Sequence, residues 1–232
     1  MKKIFIPILI VILLPLTFSC GSARFAGYTL NEGDAASAIR QLLQLGVRDN
    51  NFSGAFSKDM IMATLFPEPI RKTLNTLNTL GLTNEIDRFT TTLSTATEKT
   101  ATASIPIFES SISRMNITDA MRIIKTGGTS ATDYLRSSAG DTLRRAITPI
   151  MQATLDEYKL NDQWKQIIKP AQALVGNRLN LDLPRLMAGA VSEAMFRKIA
   201  EKETQVRTDA NARTTNLLQK VFSKDWNTYS SR

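Results

Sequence analysis

Residues 83–103 read TNEIDRFTTTLSTATEKTATA. Ile86, Phe89, Leu93, Ala96, Thr100 and Ala103 recur at three- and four-residue spacing, which is the period of one helix face and not of a strand. The stripe is narrow, and its small residues allow a neighbouring backbone to come close. Thr83 is the expected cap. Pro106 is expected to kink the helix or to split it before Ile107 and Phe108, because proline lacks the N–H and crowds the preceding turn.

The same period extends in both directions. Asn31 or Asp34 is placed to cap an earlier helix carrying Ala38, Ile39, Leu42, Leu43 and Val47. Pro67 or Pro69 suits the first turn of a helix through Leu74 and Leu77 to Leu80, stopped by Gly81. Downstream, a short helix is expected from Thr118 and Asp119 to Gly127 and Gly128. Another is capped by Thr129 or Ser130, and a break is expected at residues 138–140, Ser-Ala-Gly. A longer helix containing Pro149 follows. Trp164, Ile167 and Ile168 mark the next, ending near Gly176. Residues 181–184, LDLP, open a helix through Val191, Met195, Phe196 and Ile199 into EKETQVR. A last one offers Leu217, Leu218, Val221 and Phe222 for docking. No segment alternates at period two. The expected fold is all-α, a single globular bundle of several helices, some kinked.

The first residues carry an address rather than a fold. Lys2 and Lys3 precede an apolar run of 15 residues, 4–18, interrupted by Pro7 and Pro15. A spanning helix needs about 20 apolar residues, so the run reads as a signal peptide over residues 1–19. Cys20, the one cysteine of the chain, follows Ser19 and reads as the acylated first residue of a lipoprotein, although Thr17 holds the place where that pattern wants leucine. Ordinary secretion, with cleavage after residues 21–23, is the alternative. Acylation gives an otherwise reactive odd thiol a purpose. The implied organisation is a lipidated N-terminus and linker over 20–33, a helical domain over 34–223 and a tail over 224–232. The implied location is the periplasmic side of the cell envelope, anchored at the outer membrane.

Composition narrows the chemistry. The 232 residues include no histidine, 29 Lys and Arg, and 21 Asp and Glu, for a net charge of +8. Imidazole-based triads and histidine metal sites are absent, no phosphate-binding glycine loop occurs, and no metal or cofactor is expected. The basic balance suits an anionic lipid, a glycan or an envelope protein as partner. No block of five or more basic residues exists, so nucleic acid is not expected.

Carboxylates, tyrosine and arginine remain. The richest cluster is Asp133, Tyr134, Arg136 and Arg145, an acid, a phenol and two guanidinium groups suited to recognising phosphate or carboxylate. Arg136 and Arg145 meet only if the chain bends at residues 138–140. The bland reading makes Asp133 a first-turn acid, pairs it with Arg136 and gives Tyr134 to the core. Glu98, among small residues, and Arg213, beside Thr214 and Thr215, are further candidates, with a solvated charge and helix-start chemistry as their bland readings. A non-enzymatic binding or interaction module is the expected function. A carboxylate-dependent hydrolase or lyase acting on envelope glycans or other anionic substrates is the alternative, since a carboxylate pair works without histidine.

Residues 105–136, IPIFESSISRMNITDAMRIIKTGGTSATDYLR, and 181–222, LDLPRLMAGAVSEAMFRKIAEKETQVRTDANARTTNLLQKVF, resemble the centre and the C-terminal end of a bacterial family, domain of unknown function family 4197. The resemblance runs from about Asp34 to Phe222. It implies an exported, all-helical protein and no assigned activity. The family usually has Asp-Pro near Asp209 and Ala210, so the helix break there is expected to be weaker. Its common glycine in the first irregular stretch is replaced here by RDNNF, residues 48–52.

Overall fold

The computed structural model describes residues 27–48, 52, 54–62, 66, 68–175 and 182–226. The signal peptide, Cys20, residues 49–51, Pro67, the helix end at Gly176, Leu181 and the last six residues lie outside them. Among the described residues there are nine α-helices and no strand.

Residues 83–103 are part of α4, Thr83–Arg114, a single helix of 32 residues. Of the kink or split expected at Pro106, the split does not occur. Pro106 is exposed, so the carbonyl of exposed Thr102, which loses its helical donor, faces water. Pro149 and Pro170 are accommodated the same way, inside their helices on exposed faces. The buried stripe of α4 includes Ala101 and Ser104, whereas Ala103 is exposed. Its buried hydroxyls are satisfied internally: Thr90, Thr97, Thr100 and Ser104 donate to the carbonyls four residues earlier, at 2.6–2.9 Å.

The other helices are α1 (Glu32–Arg48), α2 (Lys58–Met60), α3 (Glu68–Thr79), α5 (Ala120–Thr126), α6 (Ser130–Glu157), α7 (Leu160–Val175), α8 (Leu183–Thr208) and α9 (Asn216–Phe222). Local chemistry sets several ends. Asn31 caps α1 by accepting from the Asp34 N–H at 2.8 Å. Gly81, at φ 95°, ends α3 in the left-handed region that favours glycine. Asp182 and Thr215 accept from the first turns of α8 and α9. Thr83 is not a cap; it is the first residue of α4, and its hydroxyl donates back to the Asn78 carbonyl. The chain turns after Asp209 without the proline, because the Asp209 carboxylate accepts from the Asn211 N–H at 2.9 Å and a short 3-10 turn follows.

Helices α6 and α8 form the most extensive pair, with α4 against α6 and α1 against α8. Helix α8 is the centre: Met187, Val191, Met195, Phe196, Ile199 and Val206 are all buried. Phe108 of α4 meets Phe196 edge-on at 5.4 Å between ring centroids. Trp164 of α7 lies between Phe66 and Phe89 at 5.6 and 5.5 Å. Leu218, Val221 and Phe222 bury α9 against the body.

The break expected at residues 138–140 is absent, since α6 runs unbroken over 28 residues. Ser138 bonds the Tyr134 carbonyl from within the helix. Gly140 sits opposite Phe196, and helix-on-helix packing outweighs its poor propensity.

Two helix glycines respond oppositely to alanine. A Cβ at Gly46 meets the Ile199 Cα at 3.0 Å, backbone against backbone, where α1 crosses α8; one at Gly140 finds its nearest neighbour at 3.8 Å. Gly140→Ala should raise stability by about 0.5–1 kcal/mol, the helix-propensity gain. Gly46→Ala should lower it by about 1–3 kcal/mol through overpacking. Urea unfolding of both variants checks the pair, and changes of the same sign contradict the crossing geometry.

Candidate functional site

The continuous α6 redistributes the sequence candidates. Arg136 and Arg145 are nine residues apart, about half a turn out of phase and about 13–14 Å along the axis, so they do not meet. Arg144, one position earlier, comes round to the α8 side with Arg136. Between α6 and α8 lies an open groove of about 680 Å³ lined by Arg136, Arg144 and Arg197, with Asp141 and Glu193 among them.

The groove follows from small residues at the crossing. Gly140 and Gly189 belong to its lining, and the stems of Arg136 and Arg144 run past them: a Cβ on Gly140 would touch the Arg136 Cγ, and one on Gly189 the Arg144 Cδ, both at 3.8 Å. Buried Phe196 closes the floor, and the Arg136 guanidinium lies over its ring at 4.6 Å, a cation–π contact that leaves the N–H edges outward. Arg136 pairs with Glu193 across the two helices, not with Asp133. Arg144 pairs with Asp141 at 2.6 Å. Arg197, exposed on the same rim, has no ion-pair partner among the described residues. The charged lining therefore carries three cations against two anions.

The remaining candidates bind their own chain. Asp133 accepts from the Thr129 hydroxyl at 3.0 Å at the start of α6. The Tyr134 hydroxyl donates to the Asn116 carbonyl at 2.7 Å and pins the segment before α5. Arg145 donates to the Thr142 hydroxyl. Glu98, half-buried, accepts from the Gly54 N–H at 2.8 Å and holds the loop before α2 on α4. Arg213 serves a helix end rather than a start: it donates to the Val206 and Arg207 carbonyls at 2.8 and 3.0 Å, closing the C-terminus of α8. Burial lowers its pKa from the ordinary guanidinium value, and the nearby Asp209 opposes that shift.

Sequence reading missed a second charged feature. Glu203, in the segment EKETQVR, is completely buried. Its carboxylate accepts from the Ala131 and Thr132 N–H groups at 3.0 and 2.8 Å and from the Thr132 hydroxyl at 2.7 Å. Thr129 gives α6 no side-chain cap, so a residue of another helix takes that place. Arg207, one turn along α8, donates to Glu203 at 2.9 and 3.0 Å, and to the Ile124 carbonyl at the end of α5 at 3.1 Å. The pair places a negative charge at one helix N-terminus and a positive charge at another's C-terminus, as helix dipoles favour. Both Glu203 oxygens are taken up by protein donors, and the largely buried Arg207 bonds Glu203, the end of α5 and Ser130, so the pair ties helices together.

Among the described residues no three or more Cys, Asp and Glu side chains gather as a metal site, and no helix is long and apolar enough to cross a membrane. No curated protein and no solved structure matches the chain significantly. A family model described as "Protein of unknown function (DUF4197)" matches residues 29–223. That span takes in all nine described helices, the groove and the buried Glu203–Arg207 pair, and the chain belongs to the DUF4197 family.

Proposed function

We propose that this chain is a lipid-anchored protein of the cell envelope whose α6–α8 groove binds an anionic ligand without transforming it. One observation carries the binding reading: Arg136, Arg144 and Arg197 line a single opening, and only the first two have a carboxylate partner there. The guanidinium of Arg197 is free to make bidentate bonds to phosphate or carboxylate. The exposed pairs of Arg136 and Arg144, with arginine side chains 40% and 46% exposed, hold by about 0–1 kcal/mol each. An entering anion therefore competes with Glu193 and Asp141 at little cost. Those two carboxylates are the acids of the groove, and each faces an arginine. That arrangement supports charge recognition more than the acid–base division of labour a glycan hydrolase requires.

The anchor rests on the short apolar run followed by Cys20. Its place is the periplasmic side of the envelope, with the outer membrane as the anchoring surface, and two or more acyl chains there hold the protein stably.

Two measurements test these statements separately. Titration calorimetry with inorganic phosphate, glycerol phosphate and an acidic oligosaccharide should detect binding of at least one. Arg197→Ser should weaken it by about tenfold or more, the scale of a charge-assisted hydrogen bond, at an unchanged melting temperature. Absence of binding by the unaltered protein, or equal binding by Arg197→Ser, refutes the groove. Labelling with a palmitate analogue in cells should mark the unaltered protein and not Cys20→Ser; an unlabelled protein released to the medium refutes the anchor.

A further inference from the structure

The two ends of the domain come together on one face. The Tyr28 and Trp226 rings meet edge-on at 5.7 Å. Lys220 lies over the Tyr28 ring at 4.2 Å from its centroid, and Lys224 over the Trp226 ring at 5.5 Å. Beside them a shallow hollow of about 220 Å³ is lined by Leu30 and Met121 together with Tyr28, Lys224 and Trp226. Both aromatic rings are half-buried, with their polar ends tied back: the Trp226 indole N–H donates to the Val221 carbonyl at 2.7 Å, and the Tyr28 hydroxyl to Asp34 at 2.6 Å. Burial and that carboxylate hold the Tyr28 hydroxyl well above the ordinary phenol pKa.

We infer that this face is a seat on the lipid headgroup layer, and that it sets the orientation of the anchored domain. The inference rests on the reading of Cys20 as the anchor. Eight Cα steps separate Cys20 from Tyr28, so the tether reaches at most about 28 Å even when fully extended. Whatever face carries Tyr28 is therefore held at the membrane, while faces farther from Tyr28 are held less closely. The composition suits that position. Tyr and Trp with apolar bodies and polar ends favour the headgroup level, and the Lys220 and Lys224 ammonium groups lie over the two rings, Lys224 also donating to the Tyr28 carbonyl at 3.4 Å, so the face joins aromatic surface to positive charge.

The nearby charges define the kind of surface. Lys125, Lys220 and Lys224 are balanced by Glu32, Asp34 and Asp225. Glu32 accepts from the Met121 N–H and Asp34 from Tyr28. The seat is thus amphipathic rather than polybasic, and its partner is the bilayer interface itself, not a cluster of anionic headgroups.

The experiment supplies the tether chemically, so it does not depend on acylation in the cell. The core lies between Ala35 and Phe222, and the chain from Cys20 onward retains all of it. Its one cysteine is coupled to a maleimide lipid in phosphatidylcholine vesicles carrying a nitroxide-labelled headgroup. Trp226 emission should fall about twofold on tethering, as expected for an indole at the headgroup level. Trp164, stacked on Phe66 and only 4% exposed, should be spared, so Trp226→Phe should remove the quenchable component. Lys220→Glu, which leaves the Lys224–Tyr28 bond in place, should restore much of the emission with the melting temperature little changed. Unquenched Trp226 in the tethered protein, or full quenching in the charge-reversed variant, overturns the seat. A cell protein that fails to take up palmitate overturns the anchor and leaves the vesicle result to judge the seat by itself.

Discussion

The fold depends on one buried charge. Glu203 is inaccessible to water and accepts hydrogen bonds from two N–H groups of α6, the Thr132 hydroxyl and the Arg207 guanidinium. Taking a carboxylate and a guanidinium out of water costs several kcal/mol per ion. The cost is offset here because the groups they meet would themselves be stranded: the first N–H groups of α6 and the last carbonyls of α5 have no helical partner. Two unsatisfied helix ends, one buried carboxylate and one largely buried guanidinium offset one another. Such a pair is weak evidence of high stability, but it fixes which helix end faces which side chain, and so fixes register.

The groove inherits its geometry from that register. With the start of α6 held on α8 by Glu203, Gly140 comes against Phe196 about two turns along α6, and Gly189 comes against the Arg144 stem about four turns back along α8. Arg136 lies over Phe196 and reaches Glu193, and Arg144 and Arg197 fall on the same opening. The other end of α8 is closed by Arg213 on its last carbonyls, and the Arg207 guanidinium lies over the Phe222 ring at 5.2 Å, joining α9 to the same charged centre. The C-terminal helix, the buried pair and the groove are thus parts of one cooperative body rather than neighbours by chance.

Much of this was legible in the sequence, and the failures share a cause. Apolar periodicity marked the long segments as helical, because burial of one face is a local pattern, but it divided α6 into two helices. Residues 138–140 misled because Ser-Ala-Gly is a breaker by propensity, while packing against Phe196 overrides propensity at a cost of about 1 kcal/mol. Losing that break moves Arg145 to the far side of α6 and brings in Arg144, so of the two arginines only Arg136 lines the groove. Arg197 was overlooked as one more charge in an amphipathic helix. Glu203 and Arg207 stood four apart, a readable pair, yet the charges of EKETQVR look like a solvated face. Only the tertiary arrangement, which brings the bare start of α6 to that face, reveals that one of those acids is buried. The address proposed from Cys20 rests on the sequence alone, and the helical body neither requires nor opposes it.

The central claim is that Glu203 and Arg207 act as one unit binding α5, α6 and α8. A double-mutant cycle of Glu203→Gln and Arg207→Met, read by equilibrium urea unfolding, addresses it directly. Each single substitution strands a buried group and should cost about 3–5 kcal/mol. The double variant should be less destabilised than the sum by about 1 kcal/mol or more. Single losses below about 1 kcal/mol, or strictly additive ones, would contradict the account by showing that the helix ends are held without the pair.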